Sequence, residues 1–488
     1  MIKKLNLKNN DLIVYTLIII LIFIIYAPSL KFYFTLDDSA WLSFSKKFFE
    51  YRNVGETPSL FFRRFTMNSL LYLEYLMFGN KSEYFHLTNI ILFTVNAILL
   101  YHFSMFFLKN PFKKSFAIFT TLLFILLPSR FDVVNWISCQ CYLILGILFM
   151  FTILTFYKFI KTHKKKFYVV TFILCFLSIL THQVGLILPV LLAIEYVLFD
   201  KNSEKVCPKI SATQKFIYFL PFVLLIIAYF QLNYGNLFIF FHRIYVSSIE
   251  VLVKNMIFFI ILIIFSVYIL GWRSKAEKFF YLWTILALSP YIMSVAEGYT
   301  YSFIIGGRWY YIASIGFCIL IFSVMQKILT TKKRYKIVSA LIWIVLSVLI
   351  VYDIKYQLMT PLRDATHYKD FFEKIKLSNI MIKEDMEIAF IDGSSLTVLN
   401  TSPSLNLREI IDIGKNCKRN DLSRTYAYII YVFKLEFDVQ NVTAYCFNES
   451  FFKQRQIDND ILVFNVGEDD FLRINLNEET VSFLKIDW

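Results

Sequence analysis

Long apolar runs separated by short polar segments fill the first 355 residues of the chain. Runs such as LIVYTLIIILIFIIYAPSL and IVSALIWIVLSVLIVYDI are close to the length that an α-helix needs to cross a hydrocarbon core about 30 Å thick. The first run is too long for a signal peptide and lacks a small-residue cleavage pattern, so we expect it to be retained. The pattern predicts eleven membrane-spanning helices, over residues 12–30, 88–108, 115–128, 141–157, 167–181, 184–199, 216–232, 254–271, 279–296, 304–326 and 337–355.

The pattern changes after residue 356. A helical stretch, DATHYKDFFEKIK, is followed by runs typical of strands and broken by Asn, Asp and Gly, namely MEIAFIDG, TYAYIIYVFKLEF, VTAYCF, DNDILVFNVG and DFLRINL. We therefore expect a polytopic helical membrane domain over residues 1–355, with a first external loop at 31–87, and a mixed α/β domain over 356–488.

Composition and charge agree with this division. Hydrophobic residues make up 58% of the chain and aromatic residues 19%, which is more apolar surface than a soluble domain could cover. The net charge of +14 does not indicate nucleic-acid binding, because the basic residues lie in alternate loops, where the N-terminus and five further segments hold 23 lysines and arginines. The four short connections on the other side hold about three, Arg130, Arg243 and Arg308 among them. This asymmetry predicts a multi-pass protein of the cell membrane with a cytoplasmic N-terminus and an external C-terminal domain.

Candidate catalytic residues fall at the predicted external ends of the spans. Asp37 and Asp38 stand side by side in KFYFTLDDSAWL, just after the first span. A channel or symmetric transporter would be expected to place charges near the membrane midplane, so acids at span ends favour an active site at the external surface. The seven cysteines form no metal-binding pattern, and a disulfide between Cys417 and Cys446 is left open by the sequence.

Several motifs in fixed order resemble the membrane half of the tetratricopeptide-linked O-mannosyltransferases, which belong to the GT-C class of glycosyltransferases. A paired acid follows the first span, an Arg stands fifteen residues before the Gly of an FG pair, and a YH pair and an N-A-x-L-x-Y run come next. Further on are a W-I-S stretch preceded by an acid and an R-x-x-Y-x-x-S-x-G-F stretch. The matching residues are Asp37, Asp38, Arg64, Gly79, His86, Asn96 to Tyr101, Pro128, Asp132, Trp136, Ser138, Arg308, Tyr311, Ser314, Gly316 and Phe317.

The resemblance, which covers roughly residues 12–330, implies an inverting hexosyl transfer from a polyprenyl-phosphate donor to an acceptor hydroxyl at the external membrane face. Such a reaction needs a base for the hydroxyl proton and cations for the departing phosphate. Asp37, Asp38 and Asp132 are the candidate catalytic acids, and the two adjacent carboxylates could also hold a divalent metal ion. The candidate substrate-binding residues are Arg64, His86, Arg308 and Tyr311, with the arginines suited to phosphate.

The chain departs from the family pattern at several charged positions. Phe65 stands where a Pro is common, Gln140 and Tyr142 replace a basic and an acidic residue, and His182 with Gln183 replaces a Lys-Glu pair. Arg130 and Asp132 replace the His and Glu of an H-x-E motif, and Gly307 replaces an acid. These departures leave the sugar and the metal requirement open, while the acceptor is a glycan, a lipid or a protein.

Each candidate residue has a structural alternative. The Asp pair could be a solvated span end, with Asp38 capping a helix. Arg64 and Arg308 could reach lipid headgroups, and Asp132 could pair with Arg130. His86 and His182 could be packing residues at helix ends, and the aromatic residues Trp136, Trp309, Tyr310 and Tyr311 interfacial anchors. At the level of function, the alternatives are a carrier or flippase for lipid-linked glycans and a non-catalytic glycan-assembly protein.

Overall fold

A computed structural model describes the chain in segments that fall into two compact units. The first unit comprises Met1–Leu30, Val54–Leu70 and Tyr84–Thr360, and the second comprises Lys31–Asn53, Leu71–Glu83 and Pro361–Trp488. The predicted domain boundary at 355 and 356 stays a prediction. The described residues are 9–34, 38–51, 64–107, 113–127, 130–200, 212–232, 274–288, 307–328, six helical positions between 337 and 351, and the segments 387–391, 443–446, 461–465, 471–475 and 480–484.

Most of the described residues form α-helices. A long apolar segment in a lipid environment has no water to bond with, so its backbone N–H and C=O groups must form hydrogen bonds within the helix. In chain order they are α1 (Asn9–Tyr26), α2 (Asp38–Tyr51), α3 (Phe65–Phe78), α4 (Ser82–Phe107), α5 (Lys113–Leu126), α6 (Arg130–Asn135), α7 (Gln140–Thr162), α8 (Lys165–Thr181), α9 (Ile187–Phe199), α10 (Ala212–Leu232), α11 (Lys275–Ala287) and α12 (Gly307–Ile328). Short 3-10 turns occupy Ala27–Lys31, Ile137–Cys139 and Gln183–Leu186.

The helices confirm that this is a helical membrane protein. Three described segments, Asp11–Lys31, Ser82–Phe107 and Ile137–Thr162, are long and apolar enough to cross a membrane. Helix α4 alone has 26 residues, or about 39 Å at 1.5 Å per residue. Large apolar side chains also face outward, as with Leu17 and Ile24 of α1, which are 61% and 60% exposed. Such a surface is suited to lipid and not to water.

Close helix contacts build the core of the first unit. Trp283 of α11 is fully buried, and its indole Nε1 donates a hydrogen bond to the backbone oxygen of Ile312 in α12, at 3.1 Å. A Cβ atom at Gly316 would lie 3.1 Å from both the Phe280 carbonyl oxygen and the Trp283 ring. Glycine at this position therefore lets the backbones of α11 and α12 approach closely, as small residues do between membrane helices.

A second close approach joins α4 to α7. The side-chain amide of Asn96, part of the N-A-x-L-x-Y run, donates to the backbone oxygen of Leu143 at 2.9 Å. Gly146 lies one turn further along α7, where an added Cβ would collide with Asn96 Oδ1 and lie 3.0 Å from the Tyr311 ring. The motif asparagine thus has a packing role between two helices.

The first-loop segments of the second unit contact one another through aromatic side chains. The rings of Phe49 in α2 and Tyr72 in α3 stack with centroids 4.7 Å apart. The Lys46 ammonium lies 4.3 Å from the centroid of the Tyr75 ring. Ser82 Oγ donates to the backbone oxygen of Phe32 at 2.9 Å. The first two contacts hold α2 against α3.

The second unit also contains a five-stranded mixed sheet. Its strands are β1 (Glu387–Ile391), β2 (Thr443–Cys446), β3 (Ile461–Asn465), β4 (Phe471–Asn475) and β5 (Thr480–Leu484), in the order β2-β1-β3-β4-β5. Strand β1 runs parallel to β2 and β3, with Ile388 opposite Ala444 and Leu462, while β3, β4 and β5 are antiparallel neighbours. Antiparallel neighbours need only short turns, whereas the parallel pairs require crossover connections.

The described part of the chain tests only some of the predicted elements. Four of the five runs typical of strands contain β1 to β4, whereas β5 was not predicted. The predicted strand TYAYIIYVFKLEF, the predicted helix DATHYKDFFEKIK and the predicted span 254–271 lie outside the described residues. The number of crossings and the mixed α/β domain as a whole stay predictions.

Candidate functional site

Arg64 lies at the start of α3, in the first unit. Its backbone oxygen accepts a hydrogen bond from the Asn68 amide at 2.8 Å, so Arg64 is the residue from which the helix begins. Two residues later, the Thr66 hydroxyl donates to the backbone oxygen of Leu177 at 3.5 Å, which joins the start of α3 to the last turn of α8. The half-buried side chain of Arg64 therefore stands close to the residues that follow α8.

His182 is the first residue after α8. Its imidazole is only 4% exposed, and its Nδ1 atom accepts a hydrogen bond from the Val184 amide at 3.2 Å. The His182 carbonyl oxygen accepts from the Gly185 amide at 2.8 Å. Since Nδ1 is an acceptor, the proton of the neutral ring is on Nε2. The short 3-10 turn after α8 thus fixes both the position and the tautomer of the ring.

Tyr142 holds the other side of the His182 ring. The two ring centroids are 4.7 Å apart, with the planes tilted by 43°. Tyr142 lies in the first turn of α7 and is 3% exposed. The aromatic contact joins the start of α7 to the end of α8, so the imidazole has little freedom to turn away.

Both candidate phosphate-binding arginines act electrostatically on this pair of rings. Burial first, then the positive charge of Arg64, then that of Arg308, holds the pKa of His182 well below its usual range. The same two guanidinium groups act on the Tyr142 phenol. Both guanidinium groups therefore lie within electrostatic range of the His182 ring, although they come from distant parts of the chain.

Arg308 lies in the first turn of α12 and contacts Trp136. Its guanidinium carbon is 4.2 Å from the centroid of the indole ring. Asn89 of α4 fixes the Trp136 backbone by donating its side-chain amide to the carbonyl oxygens of Trp136, at 3.1 Å, and Val134, at 3.0 Å. Trp136 Nε1 and Asn89 Oδ1 are buried without a hydrogen-bond partner within the described part of the chain. One face of the indole is therefore occupied by a cation.

Asp132 is connected to the same region through its backbone. It lies in α6 with a half-buried side chain, and its carbonyl oxygen accepts from the Trp136 amide at 3.3 Å. The acid is thus one helical turn before the residue that contacts Arg308. Its catalytic role stays a prediction.

Arg130, two residues before Asp132, is packed between helices. The fully buried guanidinium donates from Nε to the Phe124 carbonyl oxygen at 2.8 Å and from Nη2 to the Ser314 hydroxyl. It also lies 4.2 Å from the centroid of the Phe124 ring and 4.8 Å from that of Tyr311. Arg130 consequently links α5, α6 and α12.

The remaining candidate binding residues lie in the interior. Tyr311 is fully buried, its ring contacts Phe124 and Arg130, and its hydroxyl has no hydrogen-bond partner among the residues described. His86 is fully buried in α4, one turn before Asn89, and therefore on the same helix face. The roles of Tyr311 and His86 in substrate binding stay predictions.

The paired acid is described in part. Asp38 is the first residue of α2 and is 1% exposed, so this residue is not the solvated span end of the structural alternative. Asp37 lies outside the described residues.

Over the segments that the structure describes, no group of three or more His, Cys, Asp or Glu side chains is placed to hold a metal ion. A divalent ion at Asp37 and Asp38 therefore stays a prediction.

Sequence patterns gave no binding role to the residues that act with the two arginines, although Trp136 matched the W-I-S motif. His182 was interpreted as a packing residue at a helix end and Trp136 as an interfacial anchor, and Tyr142 was noted only as a departure from the family pattern. The available signal was the pair His182 and Gln183 at the position of a charged pair in the resembling family. No family model and no curated protein matches this chain.

Proposed function

We propose that the chain is an integral membrane glycosyltransferase of GT-C type. It transfers a sugar from a polyprenyl-phosphate donor to an acceptor hydroxyl at the external face of the membrane. The support is that the charges of Arg64 and Arg308 both act on the buried ring of His182, that this ring contacts Tyr142, and that Arg308 contacts Trp136. Two arginines within electrostatic range of one buried ring are suited to a phosphate group, which guanidinium groups bind through paired hydrogen bonds.

The charge of the phosphate explains why two arginines would be used. A polyprenyl-phosphate sugar is a phosphodiester with one negative charge, and its leaving group is a phosphate monoester with nearly two. Cations placed before the reaction stabilise the charge that develops as the glycosidic bond breaks. Because this leaving group is already a stable anion, the site does not require a strong general acid.

The acceptor hydroxyl needs a base. Asp37 and Asp38 are proposed for this role, one as the base and the other as an orienting group or a ligand for a divalent ion. Asp132, one turn before Trp136, is the third candidate acid. The acceptor itself is a glycan, a lipid or a protein.

The proposed topology places this chemistry outside the cell. It has eleven crossings, a cytoplasmic N-terminus and an external C-terminal domain, with the lipid bilayer around the helices and the donor's isoprenoid chain within it. Engineered cysteines in the C-terminal domain should react with an impermeant reagent in intact cells. Reaction only after the cytoplasmic side is opened would contradict the orientation.

A deletion strain tests the activity. We expect loss of the chain to cause accumulation of a polyprenyl-phosphate sugar, and the wild-type chain to reverse this. Arg308→Gln should fail to do so, whereas Lys158→Gln, which removes an exposed cation on α7, should succeed. Equal rescue by both variants would contradict the proposed role of Arg308.

A further inference from the structure

We propose that the Nε2–H group of His182 is a third, uncharged ligand for the phosphate that Arg64 and Arg308 bind. This inference rests on the proposed function, because it concerns the same phosphate. The imidazole is nine-tenths buried, its Nδ1 atom is occupied by the Val184 amide, and its ring is held by Tyr142. Over the described part of the chain, no hydrogen bond uses its Nε2 atom. One ring nitrogen is therefore fixed as an acceptor, which leaves the other as a donor.

The surroundings keep the ring uncharged. The charged groups that act on it are Arg64 at the start of α3 and Arg308 of α12, and the titratable group that contacts it is the Tyr142 phenol of α7. The two guanidinium charges and burial lower the pKa of His182, so the ring stays neutral at physiological pH. Neutral imidazole still donates one hydrogen bond, and that bond is charge-assisted when the acceptor is a phosphate oxygen.

An uncharged third ligand allows faster release of the product phosphate than a third cation would. Two arginines already match the nearly two negative charges of the leaving phosphate. A third positive charge would bind the product phosphate more tightly and slow its release, since catalysis gains only from interactions that strengthen in the transition state. A neutral N–H donor adds direction to the phosphate site without adding charge.

The test measures binding of methyl citronellyl phosphate, a short isoprenoid phosphodiester, to the purified full-length chain. Three variants separate the effect of the N–H hydrogen-bond donor of His182 from the effect of its aromatic ring. His182→Phe keeps an aromatic ring against Tyr142 and loses the N–H group, His182→Gln loses the ring and keeps an N–H donor near the position of Nε2, and His182→Ala loses both. We expect Phe and Ala to weaken binding about ten- to a hundredfold and Gln to retain most of it.

The Arg64→Gln and Arg308→Gln variants distinguish failure of the whole phosphate site from failure of the role of His182 alone. If both arginine variants bind the probe as the wild type does, or if the wild type does not bind it, the phosphate site and this inference fail together. If the arginine variants lose binding while His182→Phe retains it, only the role of His182 is overturned.

The pH dependence of the wild type is a second measurement, which remains informative if a variant fails to fold. The charge of a diester is constant over this range, so binding should be unchanged between about pH 7.5 and pH 6. Binding that strengthens severalfold on acidification would show a protonated imidazole and overturn the uncharged ligand.

Discussion

The guanidinium group of Arg308 lies 4.2 Å from the centre of the Trp136 indole ring, which joins the first turn of α12 to the connection after α6. The contact fixes a flexible side chain at the place where it acts on His182. A cation over an indole is worth from about 0.5 to 2 kcal/mol, depending on exposure. Trp136 is thus a positioning residue for the arginine that we propose binds phosphate.

Replacing Trp136 should change donor use without removing the phosphate ligands. We expect Trp136→Ala to lower kcat/KM for the polyprenyl-phosphate donor from about twofold to about thirtyfold, because the guanidinium loses its support. Trp136→Phe should retain part of the activity. Steady-state transfer in membranes checks this, and an Ala variant with wild-type kinetics would show that the ring does not position Arg308.

Replacing Arg308 itself should have a larger effect. Arg308→Gln removes the charge and should lower donor use at least tenfold, since hydrogen bonds to charged groups contribute roughly 1.5 to 3 kcal/mol. Arg308→Lys keeps the charge but not the planar fork, and we expect it to be intermediate. Lys158→Gln is the matched control for loss of an exposed cation. Equal donor use in all three variants would leave Arg308 as an interfacial residue.

The lowered pKa of His182 predicts a direction for stability against pH. Below about pH 6.5 the unfolded chain binds a proton at this position that the folded chain does not, so acidification favours unfolding. Above about pH 6.5 the ring is neutral in both states and has no effect on the pH dependence of stability. Below it, the free energy of unfolding decreases by up to about 1.4 kcal/mol for each pH unit until the folded-state pKa is reached.

Thermal unfolding in detergent between about pH 5 and pH 8 measures this effect. The wild type should lose more stability at the acidic end than His182→Gln, which carries no titratable group there. Parallel curves for the two proteins would contradict a neutral, buried imidazole.

Gly146 provides a prediction about packing. Its added Cβ would collide with Asn96 Oδ1, so Gly146→Ala should destabilise the fold by about 1 to 3 kcal/mol. Asn96→Ala removes the obstructing atom, and the double variant should therefore be more stable than the sum of the single changes predicts. Additive effects would show that the α4–α7 contact is looser than described.

Hydropathy located most of the helices because it depends on local pattern alone. The predicted spans 141–157 and 167–181 lie within α7 (Gln140–Thr162) and α8 (Lys165–Thr181). The predicted span 88–108 began six residues after α4 does at Ser82, because the helix extends through the more polar SEYFHL into the segment predicted to be the first external loop. Hydropathy marks apolar length, whereas the helix continues wherever backbone hydrogen bonds remain possible.

The site was predicted less completely. Arg64 and Arg308 were selected from residue type and motif spacing, and in the structure the charges of both act on His182. Of the partners, His182 and Tyr142 were noted as departures from the family pattern, and Trp136 matched the W-I-S motif without being given a role in binding. Their importance depends on which helix ends meet, which is decided by the packing of α3, α7, α8 and α12 and not by any local pattern.

Substitutions in the acidic pair should lower sugar transfer without affecting membrane insertion. Asp37→Asn preserves shape and removes the proposed base, so transfer should fall about a hundred- to ten-thousandfold. Asp38→Asn should also lower transfer, while either variant should remain inserted in the membrane. Wild-type transfer in the double variant would remove the pair from the proposed mechanism.

The central claim is that the chain cleaves a polyprenyl-phosphate sugar at a site that uses Arg64 and Arg308. The direct measurement supplies membranes with donor labelled in the sugar and in the isoprenoid chain, and follows both labels. We expect the wild type to release polyprenyl phosphate and transfer the sugar, and the double variant Arg64→Gln and Arg308→Gln to do neither. Intact donor that crosses the bilayer without cleavage, or cleavage that the double variant retains, would contradict it.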